Sequence, residues 1–268
     1  MKLVPMEIGQ QFLMQKENKK IGENEISIHE FENGYSFNNN LKSIFYKKSF
    51  FTKKNVRKEL ESINLFNNKI SFVSFNPQSD FIPVNFFDEN SQESSIKMNL
   101  SEDYKFKTFF DIINSKDIVN LYRLKENGIF KKGYSINEIS IVSHYKTIIL
   151  NTLININKQG YKKNIVYVNL QKNSFDIFYF IENKFNLSNS FIINNTEDFL
   201  YYFFYFAEQF NLNSESFSIV FLGKYNFFEN HYIGIRDFQT DISFLSNPTN
   251  NEEYINNHPA PFLANIFC

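Results

Sequence analysis

Cysteine, arginine and tryptophan are nearly missing from this chain of 268 residues, and the first two shortages each exclude a class of function. The single cysteine is Cys268, so no disulfide can form within the chain and no zinc site can rest on several thiolates. Such usage fits a reducing compartment. Only three arginines occur, Arg57, Arg123 and Arg236, and the formal net charge is −1. A protein that neutralises a phosphate backbone is usually basic over at least one domain, so nucleic acid is not the expected partner. The one basic cluster, Lys53, Lys54, Arg57 and Lys58, reads as the solvated face of a short helix. Long hydrophobic runs are missing too. The longest, Phe199 to Ala207, falls well short of the roughly 18 residues that span a bilayer. Met1 to Gly22 lacks the apolar core and cleavage signal of a secretory leader, and the expected location is the cytoplasm. No Gly-rich Lys-Ser/Thr loop and no Gly-x-Ser-x-Gly elbow is present.

What the chain has in abundance is phenylalanine, 34 residues, beside 15 tyrosines. Hydrophobic residues make up 43% and charged residues 21%, a globular composition. Phe, Tyr, Asn, Lys and Ile share AT-rich codons, so the aromatic load reads as composition bias, with Phe filling core sites. A stacking platform for single-stranded nucleic acid is the weaker alternative.

Organisation follows from the pattern. Residues 1–22 read as a lead-in segment, 23–160 as a first lobe, 161–247 as a second lobe and 248–268 as a tail. In the first lobe, Glu25 to Phe31 alternates as a strand with His29 near its end, Asn33-Gly34 is a hairpin turn, and Leu41 to Phe51 is apolar and extended. Lys53 to Ile63 has helical spacing, Ile70 to Phe75 is a strand, and Pro83 to Phe87 allows one helical turn. Glu89 to Glu102, rich in Ser, Asn and Glu, reads as a mobile loop. Ile118 to Leu124 and Ile136 to Ser143 are strands, and His144 to Asn155 is a helix that Gly160 closes. In the second lobe the strands are Ile165 to Leu170, Phe175 to Ile181 and Phe185 to Ile193. A helix opens at Thr196, the expected cap, with Glu197 and Asp198 at its positive dipole end. Its apolar stripe is Phe199, Phe203, Phe206, Ala207 and Phe210, and Asn211 suits a left-handed stop. Phe217 to Leu222 is a last strand, ending on Gly223. The two halves echo each other: three strands joined by tight turns, a helix, another strand.

The four histidines, His29, His144, His231 and His258, do not stand at metal-ligand spacing, and packing or capping is the better reading for each. Glu252 and Glu253 near His258 fall in a polar segment expected to be exposed. Glu197-Asp198 and Glu252-Glu253 are adjacent pairs, which point about 100° apart on a helix and make no acid/base dyad. Asp176 and Asp198, both in the second lobe, read as a cap residue and a surface carboxylate. The apolar tail, His258 to Cys268, is expected to dock on its own domain, since it carries no basic residue for a membrane surface.

The run from Ile165 to Leu170, Phe175-Asp176, a strand containing Phe191, Glu197-Asp198-Phe199, the Tyr201-Tyr202 pair and Leu222-Gly223 resembles a bacterial family known only as a domain of unknown function. The duplicated pattern is similar to the actin-like ATPase, or ribonuclease H-type, fold, and distantly to pilus-assembly adaptors of the PilM type and to FtsA-like proteins. The resemblance implies an α/β fold with two mixed-sheet lobes. It also implies where a nucleotide would bind: a glycine hairpin in each half to wrap phosphates, a carboxylate ending each first strand to organise Mg²⁺, and a glycine pair to admit adenosine. In the first half, Ser27 to Gly34 has no Asp at the strand end and a lone glycine. In the second half, Asn169 stands where the leading Asp belongs, and Gln171, Lys172 and Asn173 replace the glycines. Ser174 and Asp176 match, as does Gly223, but Lys224 follows it. On this resemblance Asn169, Lys172, Ser174, Asp176, Gly223 and Lys224 form a degenerate nucleotide cleft. The expectation is a non-catalytic scaffold or adaptor with no catalytic residue, cofactor or metal, whose partner is another protein. The alternatives are a divergent ATPase or kinase using Lys172, Ser174, Asp176 and Lys224, and an RNA-associated factor using exposed aromatics.

Overall fold

The structure, a computed structural model, describes residues 5–6, 25–31, 34–39, 43–47, 69–76, 78–88, 106–125, 141–158, 164–246, 255–256 and 258–264. The expected helix at 53–63 with its basic cluster, the expected loop at 89–102, the helix stop at Gly160 and Cys268 lie outside these residues. In chain order the strands are β1 (Pro5–Met6), β2 (Glu25–Phe31), β3 (Gly34–Asn39), β4 (Ser43–Lys47), β5 (Lys69–Ser74), β6 (Ser79–Pro83), β7 (Phe106–Ile112), β8 (Ile118–Lys125) and β9 (Ile141–His144). Helix α1 (Tyr145–Asn157) follows, then β10 (Asn164–Gln171), β11 (Ser174–Ile181), β12 (Lys184–Ile192), α2 (Thr196–Gln209), β13 (Phe217–Leu222), α3 (Glu229–Arg236) and β14 (Ile242–Leu245).

Two sheets repeat one topology. The first has the order β4-β3-β2-β5-β9, the second β12-β11-β10-β13-β14 with β1 added at the far edge. In each, three consecutive strands form an antiparallel meander, and two later strands lie parallel to the first of the three. A third sheet, β6-β8-β7, is antiparallel and enters the chain between β5 and β9. By contact the chain divides into two compact units, one built on residues 20–151 and the other on 152–264 together with 1–19.

The smaller-numbered unit is organised around the start of α1. That helix has no acidic residue in its first turn. Asp111 of β7 lies at that start, where it accepts hydrogen bonds from the His144 N–H at 2.8 Å, Ser143 Oγ at 3.0 Å and Tyr122 Oη at 3.0 Å. Burial pushes the Asp111 carboxyl above its ordinary pKa, and these donors oppose the shift. His144 is fully buried. Its Nε2 lies 2.7 Å from the Asn76 carbonyl, which can only accept, so Nε2 carries the proton. Nδ1 then accepts from the Lys146 N–H at 3.2 Å. This is the packing role expected of His144. His29 lies two residues before the end of β2, wholly buried and 3.0 Å from Ser27 Oγ.

In the other unit β10 and β11 are buried along almost their whole length, because both faces of the sheet are covered, while the edge strand β12 is only partly covered. Helix α2 lays Phe199, Phe203, Phe206 and Ala207 on the sheet. Phe199 meets Phe175 edge-on at 4.8 Å, Phe206 meets Tyr179 at 5.9 Å, and Tyr202 stacks on Phe191 at 5.2 Å. The cap is Asn195, one residue earlier than expected: its side chain accepts the Asp198 N–H at 2.8 Å, and Thr196 is already helical. Asn and Thr are both good caps, and the choice fell to Asn195 because its backbone is extended where β12 turns into the helix. Asn211 ends α2 with φ 50°, as expected. Gly234 of α3 lies against Leu200, whose Cδ1 would be 2.8 Å from any Cβ placed there, so the glycine serves the approach of α3 to α2.

Two outcomes follow. Phe199→Ala removes a fully buried ring that packs against Phe175, Phe203 and His231 and should cost about 3–5 kcal/mol in chemical denaturation. His144 stays neutral in the folded protein down to about pH 3, because burial and then Lys146 disfavour its charge. The unfolded chain takes that proton near the ordinary value of 6.5. Stability from this site is therefore complete above about pH 6.5 and falls as the pH drops toward 3, at roughly 1.4 kcal/mol per pH unit. Between pH 7 and pH 5 the wild type should lose about 2 kcal/mol more than His144→Gln. Equal losses in paired guanidinium titrations would contradict the assignment.

Candidate functional site

Strands β10, β13 and β14 run parallel, so their C-terminal ends, Gln171, Leu222 and Leu245, reach the same edge of one sheet. All six residues singled out from the sequence lie at that edge or on the hairpin that begins there. Asn169 and Asp176 face each other across the β10–β11 pair, with Gln171 opposite Ser174. Lys172 is exposed at the turn, and Gly223 and Lys224 follow the end of β13.

Asp176 is not the surface or capping carboxylate expected. It is wholly buried and collects donors: Asn169 Nδ2 at 2.9 Å, Gln171 Nε2 at 3.0 Å, and the Ser190 hydroxyl of β12 on its other oxygen. Asn169 is buried beside it, and its own Oδ1 has no hydrogen-bond partner among the described residues. Asn169 and Gln171 carry amide donors where the resemblance implies an acid and a glycine, and a buried carboxyl requires such donors. Asp198 accepts from the backbone and side-chain amides of Asn194 at 2.9 and 3.1 Å.

The turn itself is tied to a later part of the chain. The Lys172 N–H donates to the Pro259 carbonyl at 3.0 Å, and Lys172 Nζ donates to the Asn256 carbonyl at 2.8 Å. Residues 260–264 then bury Ala260, Pro261, Phe262, Leu263 and Ala264, with Pro261–Leu263 in a single 3₁₀ turn. His258, which opens the tail expected to dock on its own domain, is buried, its Nδ1 2.7 Å from the Ala260 carbonyl. Among the described residues no group of three His, Cys, Asp or Glu could hold a metal ion.

Gly223 has φ +80°, a conformation that glycine adopts freely, and its N–H donates to the Leu245 carbonyl at 3.0 Å. The space over it is filled: a Cβ there would collide with the hydroxyl and ring of Tyr225. Tyr225 is buried, stacks on Phe227 at 5.5 Å, and its hydroxyl has no partner among the described residues. Burial, then the neighbouring Tyr232, pushes the Tyr225 pKa well above its ordinary value. Lys224 is exposed and holds its ammonium 5.5 Å from the centre of the Phe244 ring. Beside the turn opens a cavity of about 380 Å³, whose walls include Lys172, Asn194, Asn195, Phe227 and His231. His231 is half-buried against Phe199 and Phe228, which pushes its pKa down, while Glu197 pulls it back up.

The family described as Protein of unknown function (DUF3822) matches residues 15–242. The chain belongs to that family. No curated protein matches it. Among solved structures, a Bacteroides thetaiotaomicron protein with an actin-like ATPase fold and unknown function is similar over 87% of this chain and 94% of its own, at 20% identity and a TM-score of 0.73. The PilM–PilN type IV pilus biogenesis complex contains a chain similar over 91% of this one and 98% of its own, at 8% identity and a TM-score of 0.58. The fold is therefore the α/β actin-like ATPase fold. Among the described residues no helix is long and apolar enough to cross a membrane.

The sequence pointed to Asn169, Lys172 and Asp176 but not to Gln171, Ser190, Tyr225 or the 256–259 segment as their partners. Nothing in one sequence marks Ser190 or Pro259, whose roles come from pairing across the sheet. One outcome tests the reading of Tyr225. Removing a buried hydroxyl that lacks a partner should be neutral or favourable, so Tyr225→Phe should leave stability unchanged or raise it by up to about 1 kcal/mol. A loss above about 1 kcal/mol would show that the hydroxyl is bonded.

Proposed function

We propose that this protein is a non-catalytic scaffold or adaptor on an actin-like fold, its nucleotide-type hairpin closed by its own chain. One observation carries the reading: the amide and ammonium of Lys172, at the tip of the hairpin that the resemblance assigns to phosphates, are spent on the carbonyls of Pro259 and Asn256. A phosphate would have to displace both. Two further features support it. Asp176 is buried under three donors and has little to offer a magnesium ion, which prefers charged oxygen ligands and keeps several waters. The space over Gly223, where the resemblance places adenosine, holds Tyr225. A protein as the partner follows by analogy with PilM, which shares the fold and is seen in complex with PilN.

A ligand that binds only the folded state must raise the melting temperature by mass action. Full-length protein titrated with ATP and Mg²⁺ to millimolar concentration should show no rise in Tm. A saturating rise with a micromolar midpoint would overturn the reading and favour the divergent ATPase or kinase, for which Lys172→Ala and Asp176→Asn should then abolish turnover.

A further inference from the structure

The closed hairpin leaves a cavity beside it. Its volume of about 380 Å³ stands near the small end of the roughly 300–1,000 Å³ that ligand pockets occupy. Ile193, Phe227 and Phe228 form its apolar lining. Phe228 is buried, and Phe227 is 43% exposed. Tyr225 stacks on Phe227 at 5.5 Å and Phe228 meets it edge-on at 4.6 Å, so its ring is a fixed aromatic surface.

Two amides in the wall, Asn194 and Asn195, are held in complementary ways. Asn195 caps α2: its Oδ1 accepts the Asp198 N–H at 2.8 Å, which leaves its Nδ2 without a partner among the described residues. In Asn194 the roles are reversed. Its backbone N–H and Nδ2 donate to Asp198 Oδ2 at 2.9 and 3.1 Å, which leaves its Oδ1 without a partner among the described residues. One donor and one acceptor thus stand on consecutive residues, and the capping contacts of α2 fix both side chains. A hydroxyl, which donates and accepts through one atom, answers that pair. An indole N–H answers only the acceptor.

Charge favours an uncharged ligand. Among the described residues no acid lines the cavity, and the ammonium of Lys172 in its wall is drawn to the Asn256 carbonyl at 2.8 Å. Lys172 repels a cation, and Glu197 and Asp198 in the first turn of α2 repel an anion. His231 in the same wall is kept neutral near pH 7, because its burial outweighs the pull of Glu197.

We infer that this cavity binds the side chain of a tyrosine presented by a partner protein, its ring against Phe227 and Phe228 and its hydroxyl shared by Asn194 Oδ1 and Asn195 Nδ2. The inference rests on the adaptor reading for the existence of a partner and adds the group by which it is held. A large apolar body with one polar end is the kind of anchor that fills a pocket at an interface.

The test is amide NMR on the full-length protein with three probes, N-acetyl-tyrosinamide, N-acetyl-phenylalaninamide and adenosine. The tyrosine probe should shift residues 193–195 and 227–231 in a saturable way. The phenylalanine probe should bind about fivefold more weakly, the worth of one hydrogen bond between uncharged groups. Phe227→Ala should weaken the tyrosine probe about tenfold. Asn194→Ala should bring the two amino-acid probes close to equal affinity, which a loss of packing alone does not do. The wild-type comparison needs no variant, so it decides even where a variant fails to fold. No saturable shift with the tyrosine probe, equal wild-type affinity for the tyrosine and phenylalanine probes, or tighter binding of adenosine would overturn the inference. Nucleotide binding is read separately from the Tm titration, so a failed tyrosine probe with a flat ATP titration overturns this inference and leaves the adaptor reading standing.

Discussion

A carboxyl group enters a protein interior only with donors to meet it, and Asp176 sets that condition for everything around it. With no exposure to solvent, it needs hydrogen bonds from each neighbouring strand, and Asn169, Gln171 and Ser190 supply them. These contacts cross from β10 to β11 and from β11 to β12, so one side chain joins the three strands of the meander. The same substitutions that satisfy Asp176 are the ones that depart from a nucleotide-binding pattern. An amide in place of an acid at 169 turns a metal-type ligand into a donor, and a long amide at 171 fills the place of a glycine. On the proposed reading, the donors that satisfy Asp176 also stand where the resemblance implies a phosphate cradle.

The turn beyond that network is settled in the same way. Backbone amides at a tight turn need acceptors, and where no ligand provides them another part of the chain must. Here the Pro259 carbonyl accepts the Lys172 amide and the Asn256 carbonyl its ammonium, and the apolar residues that follow are buried. Tyr225 plays the corresponding part over Gly223. On the proposed reading, the hairpin tip and the space over Gly223 are taken up by this chain's own carbonyls and side chains.

Much of the fold was legible in the sequence, for reasons that can be named. β10, β11 and β13 are continuous apolar runs bounded by turn residues, the mark of strands covered on both faces. α2 carries a capping residue, two acids in its first turn and a stripe at helical spacing, and the one error was to place the cap at Thr196 in place of Asn195. β6, β7, α3 and β14 were not legible. β14 has four residues and α3 eight, one of them the glycine that lets it approach Leu200, so neither gives periodicity a window long enough to register. The candidate site was half legible. Residue identity gave Asn169, Lys172 and Asp176, but burial and partners arise from pairing across strands. A lone aspartate in a strand reads as exposed until its opposite numbers are known, and Pro259 lies 87 positions from the turn it binds.

On the adaptor reading, the Lys172 amide is held by this chain and withheld from phosphate. Amide NMR on the full-length protein tests it most directly, by following the exchange and chemical shift of the Lys172 N–H with and without millimolar Mg²⁺–ATP. The account predicts an amide that exchanges slowly and does not move on addition of nucleotide. A Lys172 amide that exchanges freely in the absence of ligand and shifts in a saturable way with Mg²⁺–ATP would contradict it.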